Sequence, residues 1–132
     1  MNPALGNTTA LAYIGDAVYE LYIRENIIKS GQTNADIMHR ISINYVSAEA
    51  QANTLKKIYD ALKESERELV RRARNHKISS KPKNAAPVDY KLATAFEALI
   101  GYLYMSGDKE RMDEVLSMAA AAADKAGKNE HS

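Results

Sequence analysis

Two segments of this chain are apolar over most of the helical circumference: LAYIGDAVYELYIR at 11–24 and VDYKLATAFEALIGYLYM at 88–105. Helices of that kind have little surface to give to water, so they belong inside a bundle of other helices. Elsewhere no stretch alternates apolar and polar residues as a half-buried strand would, and neither Asn-Gly nor Asp-Gly occurs to turn a hairpin. The chain has 132 residues, 45% of them hydrophobic, enough for one domain and one core. These features predict an all-α domain of six or seven helices over 1–125, with 126–132 a disordered tail.

The helix boundaries follow from local signals. Asn7 or Thr8 caps the first helix, which runs to about Lys29 and stops at Ser30-Gly31. A short helix follows Asn34, with Ile37, Met38 and Ile41 inward. Ser47 opens a third, which carries Leu55, Ile58, Tyr59 and Leu62 to about Lys63. SERE at 65–68 has the form of a capping box, pairing Ser65 with Glu68 at the head of a helix to about Asn75. The segment HKISSKPKNAAP reads as a loop, Val88 to Met105 as a helix, and Asp108 as the cap of a last helix with Met112, Val115, Leu116 and Met118. There is no cysteine, and no apolar run reaches the ~20 residues of a membrane span. The expected compartment is the cytoplasm, with no membrane partner.

Each of the two apolar helices carries a misplaced acid. In the first, Leu11, Ile14, Val18, Leu21 and Tyr22 form the main stripe, while Asp16 points away from it into a second face of Ala12, Tyr13, Tyr19 and Ile23. In the second, Glu97 is the only charge beyond Thr94. A carboxylate in apolar surroundings is costly unless it is paired, hydrogen-bonded, protonated or bound to a cation. Gly15 beside Asp16 and Gly101 one turn after Glu97 each cost roughly 1 kcal/mol relative to alanine, a cost that close packing would explain. Two readings stand here. In one, Asp16 meets an arginine such as Arg24, and Glu97 is the polar edge of its helix. In the other, the two acids meet across a helix pair and hold a hard divalent cation such as Mg²⁺, leaving positions for water and a phosphate. Glu20, one turn after Asp16, either joins that site or pairs with Arg24 at i+4. His39, His76 and His131 lack ligand spacing, and nothing supports a Ser-His-Asp triad.

The net charge of +1 hides a concentration of base. Arg71, Arg72, Arg74, Lys77, Lys81 and Lys83 stand together without an acid, while the rest of the chain has twelve basic against seventeen acidic residues. This segment ends just before the helix of Glu97, so phosphate contacts made by these residues and Asn84 would feed a backbone toward the acids. No aromatic residue lies between Arg71 and Pro87, which favours a duplex backbone over stacked single strands.

YIGDAVYELYIR resembles the signature of the ribonuclease III family, whose centre is a Leu/Ile-Gly-Asp-Ala-Val run on a helix, and TAFEALIGYLY resembles its second acidic motif. Together with RRARNHK and KPKN, and with no appended double-stranded-RNA-binding domain, these motifs are similar to the short Mini-ribonuclease III group over roughly residues 5–118. The resemblance implies an all-α endonuclease that dimerises through the signature helices and cleaves double-stranded RNA with Mg²⁺, leaving 5′-phosphate ends. For this group it implies maturation of the large-subunit (23S) ribosomal RNA precursor, with a large-subunit ribosomal protein on the substrate as a further partner. Carried over by position, Asp16 and Glu97 are the catalytic and metal-holding acids. Larger members have acids where this chain has Ala12 and Thr94, which the short group also lacks; weaker metal binding is the expected consequence. Tyr13, Tyr19 and Ile23 would be apolar because a second subunit covers them. The rival readings are a non-catalytic RNA-binding module of the same fold and a helical interaction dimer without RNA.

Overall fold

The computed structural model describes residues 6–76 and 87–130, the last five as backbone only. Six α-helices follow one another: α1 (Thr8–Lys29), α2 (Ala35–Val46), α3 (Ala48–Ile58), α4 (Glu64–Asn75), α5 (Pro87–Met105) and α6 (Lys109–Glu130). There is no strand among the described residues, and a 3-10 turn at Tyr59–Ala61 follows α3.

Local chemistry sets most of the ends. The side chains of Asn7, Asn34, Ser47 and Asp108 accept the backbone N–H three residues on, at 3.0, 3.1, 3.2 and 3.1 Å, satisfying donors that a helix start leaves open. Gly31 and Gly107 end α1 and α5 with φ of 98° and 79°, a conformation that costs a residue with a Cβ. Pro87 takes the first position of α5, where its missing N–H has no helical partner to lose.

The start of α4 differs from the expected capping box. The helix begins at Glu64, and Glu66, not Glu68, reaches back to accept the Lys63 N–H at 2.8 Å. The physical reason is tertiary. Glu66 is buried and also accepts two hydrogen bonds from the Arg111 guanidinium on α6, at 2.8 and 3.0 Å, and the same arginine donates to the Ala61 carbonyl. Burial alone would raise the Glu66 carboxyl, but Arg111 and the Lys63 amide outweigh it and hold it below its usual value. Burying Leu62 in an extended conformation fixes the same frame.

The core is built round α5, which packs on α1, α3, α4 and α6, most extensively on α1. Ala95, Phe96, Ala98, Leu99 and Ile100 are fully buried in succession, so α5 is enclosed on nearly all sides. The buried face of α1 is Thr8, Leu11, Ala12, Gly15, Tyr19, Ile23 and Ile27, roughly a quarter-turn round from the expected stripe. Ile14, Val18 and Tyr22 are only half-buried, and Leu21 is exposed. The core face is centred on Tyr19: of the two apolar faces of this helix, the one with Ala12, Tyr19 and Ile23 takes the core. Tyr19 and Ile23 are therefore buried by their own chain, with Tyr19 edge-on to Phe96 at 4.8 Å between centroids. A second subunit is not needed to cover them, and of the three expected seam residues only Tyr13 is exposed.

Candidate active site

The crossing of α1 and α5 is made by two glycines. A Cβ on Gly15 would lie 1.7 Å from the Glu97 carbonyl oxygen, and one on Gly101 would lie 1.9 Å from the Leu11 carbonyl oxygen. Gly15 follows Leu11 by one turn and Gly101 follows Glu97 by one turn, so the helices run antiparallel with their backbones touching at two points. Any larger residue at either position would hold them apart. This contact places Asp16, the neighbour of Gly15, against the side chain of Glu97.

The two carboxyls interact directly. Glu97 is half-buried and pushed up to about 8, first by burial, then by its hydrogen bond with Asp16 and the negative charge there; a hydrogen bond from Gln51 works in the opposite direction. Asp16 is exposed. Glu97 therefore keeps a proton at neutral pH, and it is held behind an Asp16 that opens to solvent. A carboxyl that holds a proton beside another carboxyl can exchange it for a cation. Mg²⁺ is commonly held by one or two carboxylates with water completing its shell, so the donor set fits such an ion. No third His, Cys, Asp or Glu joins them in a cluster among the described residues.

Glu20 accepts from Arg24 at 2.8 Å, the i+4 pair, so Arg24 is not the partner of Asp16. Ala12 is buried, and the Thr94 hydroxyl donates to the Tyr90 carbonyl at 2.9 Å. Gln51, by contrast, was not singled out from the sequence. It lies on α3, is 1% exposed, and donates to the Val46 carbonyl at 3.3 Å. Its signal was available: Gln51 stands one turn before Leu55 and two before Ile58, in the middle of a buried face.

Of the basic residues, Arg71, Arg72 and Arg74 lie on the exposed side of the end of α4. The Arg71 guanidinium is engaged by Glu64 at 3.0 Å and the Tyr59 hydroxyl at 3.2 Å, while Arg74 borders a cleft with Lys56, Tyr59 and Leu92. Lys77, Lys81, Lys83 and Asn84 lie outside the described residues. Arg67, stacked over the Tyr59 ring at 5.5 Å and bonded to the Tyr59 and Asp60 carbonyls, has a structural task.

Known proteins are similar to this chain in sequence and in fold. Residues 9–108 match the ribonuclease III domain. A protein of Symbiobacterium thermophilum named Mini-ribonuclease 3 is 45% identical over 119 residues, spanning 90% of this chain and 92% of that one. A Mini-ribonuclease 3 of Brevibacillus brevis is 46% identical over 120 residues, or 91% of this chain and 90% of that one. The crystal structure of a Fusobacterium nucleatum protein superposes with a TM-score of 0.78 at 31% identity, covering 86% of this chain and 91% of the other. With its motif acids brought together on the fold these proteins share, the chain belongs to the ribonuclease III family of endoribonucleases.

Proposed function

We propose that this endoribonuclease cleaves double-stranded RNA with Mg²⁺ held by Asp16 and Glu97, acting in the cytoplasm as a homodimer on the 23S ribosomal RNA precursor. Ribonuclease III enzymes act on double-stranded RNA and are generally dependent on a divalent metal. The observation that carries the reading is the approach of two carboxyls from separate helices, made possible only by Gly15 and Gly101.

Mg²⁺ bound there would polarise the scissile phosphate and make a water acidic enough to attack it in line. Asp16, being exposed, would be open to a cation arriving from solvent. Glu97 would have to give up its proton to hold the cation, so metal affinity would rise with pH. Arg71, Arg72, Arg74, Lys77, Lys81, Lys83 and Asn84 would hold the phosphate backbone. Duplex affinity then falls steeply with salt. The proposed substrate, with its large-subunit ribosomal protein, and the 5′-phosphate products come from the family resemblance.

The test is cleavage of an end-labelled RNA duplex by wild type, Asp16→Asn and Glu97→Gln at matched duplex binding. Discrete products that fall more than about a hundredfold in both variants, and vanish with chelator, are expected. Duplex binding without cleavage by wild type would favour the non-catalytic module, a reading to which the buried Ala12 and self-bonded Thr94 lend weight as two acid positions given to other uses.

A further inference from the structure

A buried glutamine needs a reason. Its amide carries two N–H donors and an acceptor oxygen, and leaving a buried polar group without partners costs about 1–3 kcal/mol. Gln51 is at least as enclosed as Leu55 on the same face of α3, in a position that leucine or methionine would fill without such a cost. Its neighbours explain the amide. One N–H goes to the carbonyl of Val46, in the last turn of α2, where carbonyls lack helical partners. The amide also meets the Glu97 carboxyl on α5. Gln51 thus joins the α2–α3 corner to the one acid of the pair that is drawn inside the protein.

We infer that Gln51 is a positioning residue for the cation site: anchored on the Val46 carbonyl, it donates to one side of the Glu97 carboxyl and turns the other toward Asp16. This rests on the reading of Asp16 and Glu97 as cation ligands. Three features support it. The anchor is backbone, so the amide cannot swing away without giving up the Val46 carbonyl. The donor is neutral, so it fixes the carboxylate without competing with a cation for its charge. Asp16 approaches Glu97 from α1 and Gln51 from α3, so the carboxyl is held from two different helices. In a site with two acids instead of three or four, the orientation of each matters more, and groups that orient metal ligands commonly contribute tenfold to a hundredfold in affinity.

The experiment measures Mn²⁺ binding to the full chain without RNA, by the loss of the free-ion electron paramagnetic resonance signal. Wild type, Asp16→Asn, Glu97→Gln, Gln51→Met and the double variant Gln51→Met with Glu97→Gln are compared, alongside thermal unfolding. Gln51→Met is expected to weaken Mn²⁺ binding about tenfold and to lower kcat on an RNA duplex while KM stays within about twofold. In the Glu97→Gln background the same change should leave the remaining Mn²⁺ affinity unaltered, which a general loosening of the core would not do. Should Gln51→Met fail to fold, the wild type still decides: the side-chain amide resonances of Gln51 should shift on saturation with Mg²⁺ and stay put in Asp16→Asn. A folded Gln51→Met that binds Mn²⁺ like wild type, or amide resonances indifferent to Mg²⁺ in a wild type that binds it, would overturn the role of Gln51 alone. A wild type without Mn²⁺ affinity, or an Asp16→Asn that retains it, would overturn the cation site and this inference with it.

Discussion

Glu97 holds a proton at a pH where a carboxyl in water has long since lost it, and the cause is where the helix crossing puts it. Burial and Asp16 raise it from 4.5 to about 8. Between those values the metal-free folded chain keeps a proton that the unfolded chain releases, so raising the pH favours unfolding. Each pH unit in that window costs at most about 1.4 kcal/mol of stability. In chelator, the wild-type melting temperature should therefore drop from pH 5 to pH 8, while Glu97→Gln, which has no proton to lose, stays flatter and overtakes wild type near pH 8. Mg²⁺ added at pH 8 should restore the wild type and do little for the variant. Parallel melting curves for the two proteins would mean that Glu97 titrates as an ordinary surface acid.

At the scale of the element, the α1–α5 pair shows what a sequence reveals and what it withholds. Asn7, Asn34, Ser47 and Asp108 announced their helices because a cap bonds only three residues away. Asp16 and Glu97 were legible as a pair because each was the odd charge on an apolar helix. The buried face of α1 was not, since that helix has two apolar faces and only the tertiary packing, with α5 pressed against Gly15, decides that the one with Ala12, Tyr19 and Ile23 goes inside. Gln51 escaped because a lone amide looks like surface until its neighbours are known, and Glu66 prevailed over Glu68 only because Arg111 waits on α6. Gly15→Ala tests the crossing itself. Its Cβ would meet backbone, which cannot rotate aside, so the helices must part. We expect a loss of about 3 kcal/mol in denaturant unfolding and, in the fraction that folds, Mn²⁺ binding weakened as severely as in Asp16→Asn. Wild-type stability and Mn²⁺ affinity in Gly15→Ala would show that the acids do not depend on backbone contact.

For the whole molecule, the question is what covers the outer side of α1. Tyr13, Leu21 and Ile28 are 85%, 60% and 60% exposed, and at 100° per residue they share an arc with Ala17 and the Glu20–Arg24 pair. An apolar stripe along a central helix, beside the exposed Asp16, is a poor surface to leave in water and a good one to join to its own copy. The proposed homodimer then has its seam here and not at Tyr19 and Ile23, which the chain buries for itself. A symmetric seam along α1 would bring the Asp16 of each protomer toward the same duplex, giving each strand its own pair of carboxyls. Because these side chains contribute nothing to the core, Tyr13→Asp with Leu21→Asp should separate the subunits without dismantling the Asp16–Glu97 pair. Sedimentation equilibrium at micromolar concentration should show a dimer for wild type and a monomer for the variant, with Mn²⁺ binding retained. Duplex cleavage should fall at least tenfold as the second site is lost from the substrate. A wild type that sediments as a monomer would leave the stripe without a purpose in this chain's own assembly. A dimeric variant would put the seam on another face of the bundle.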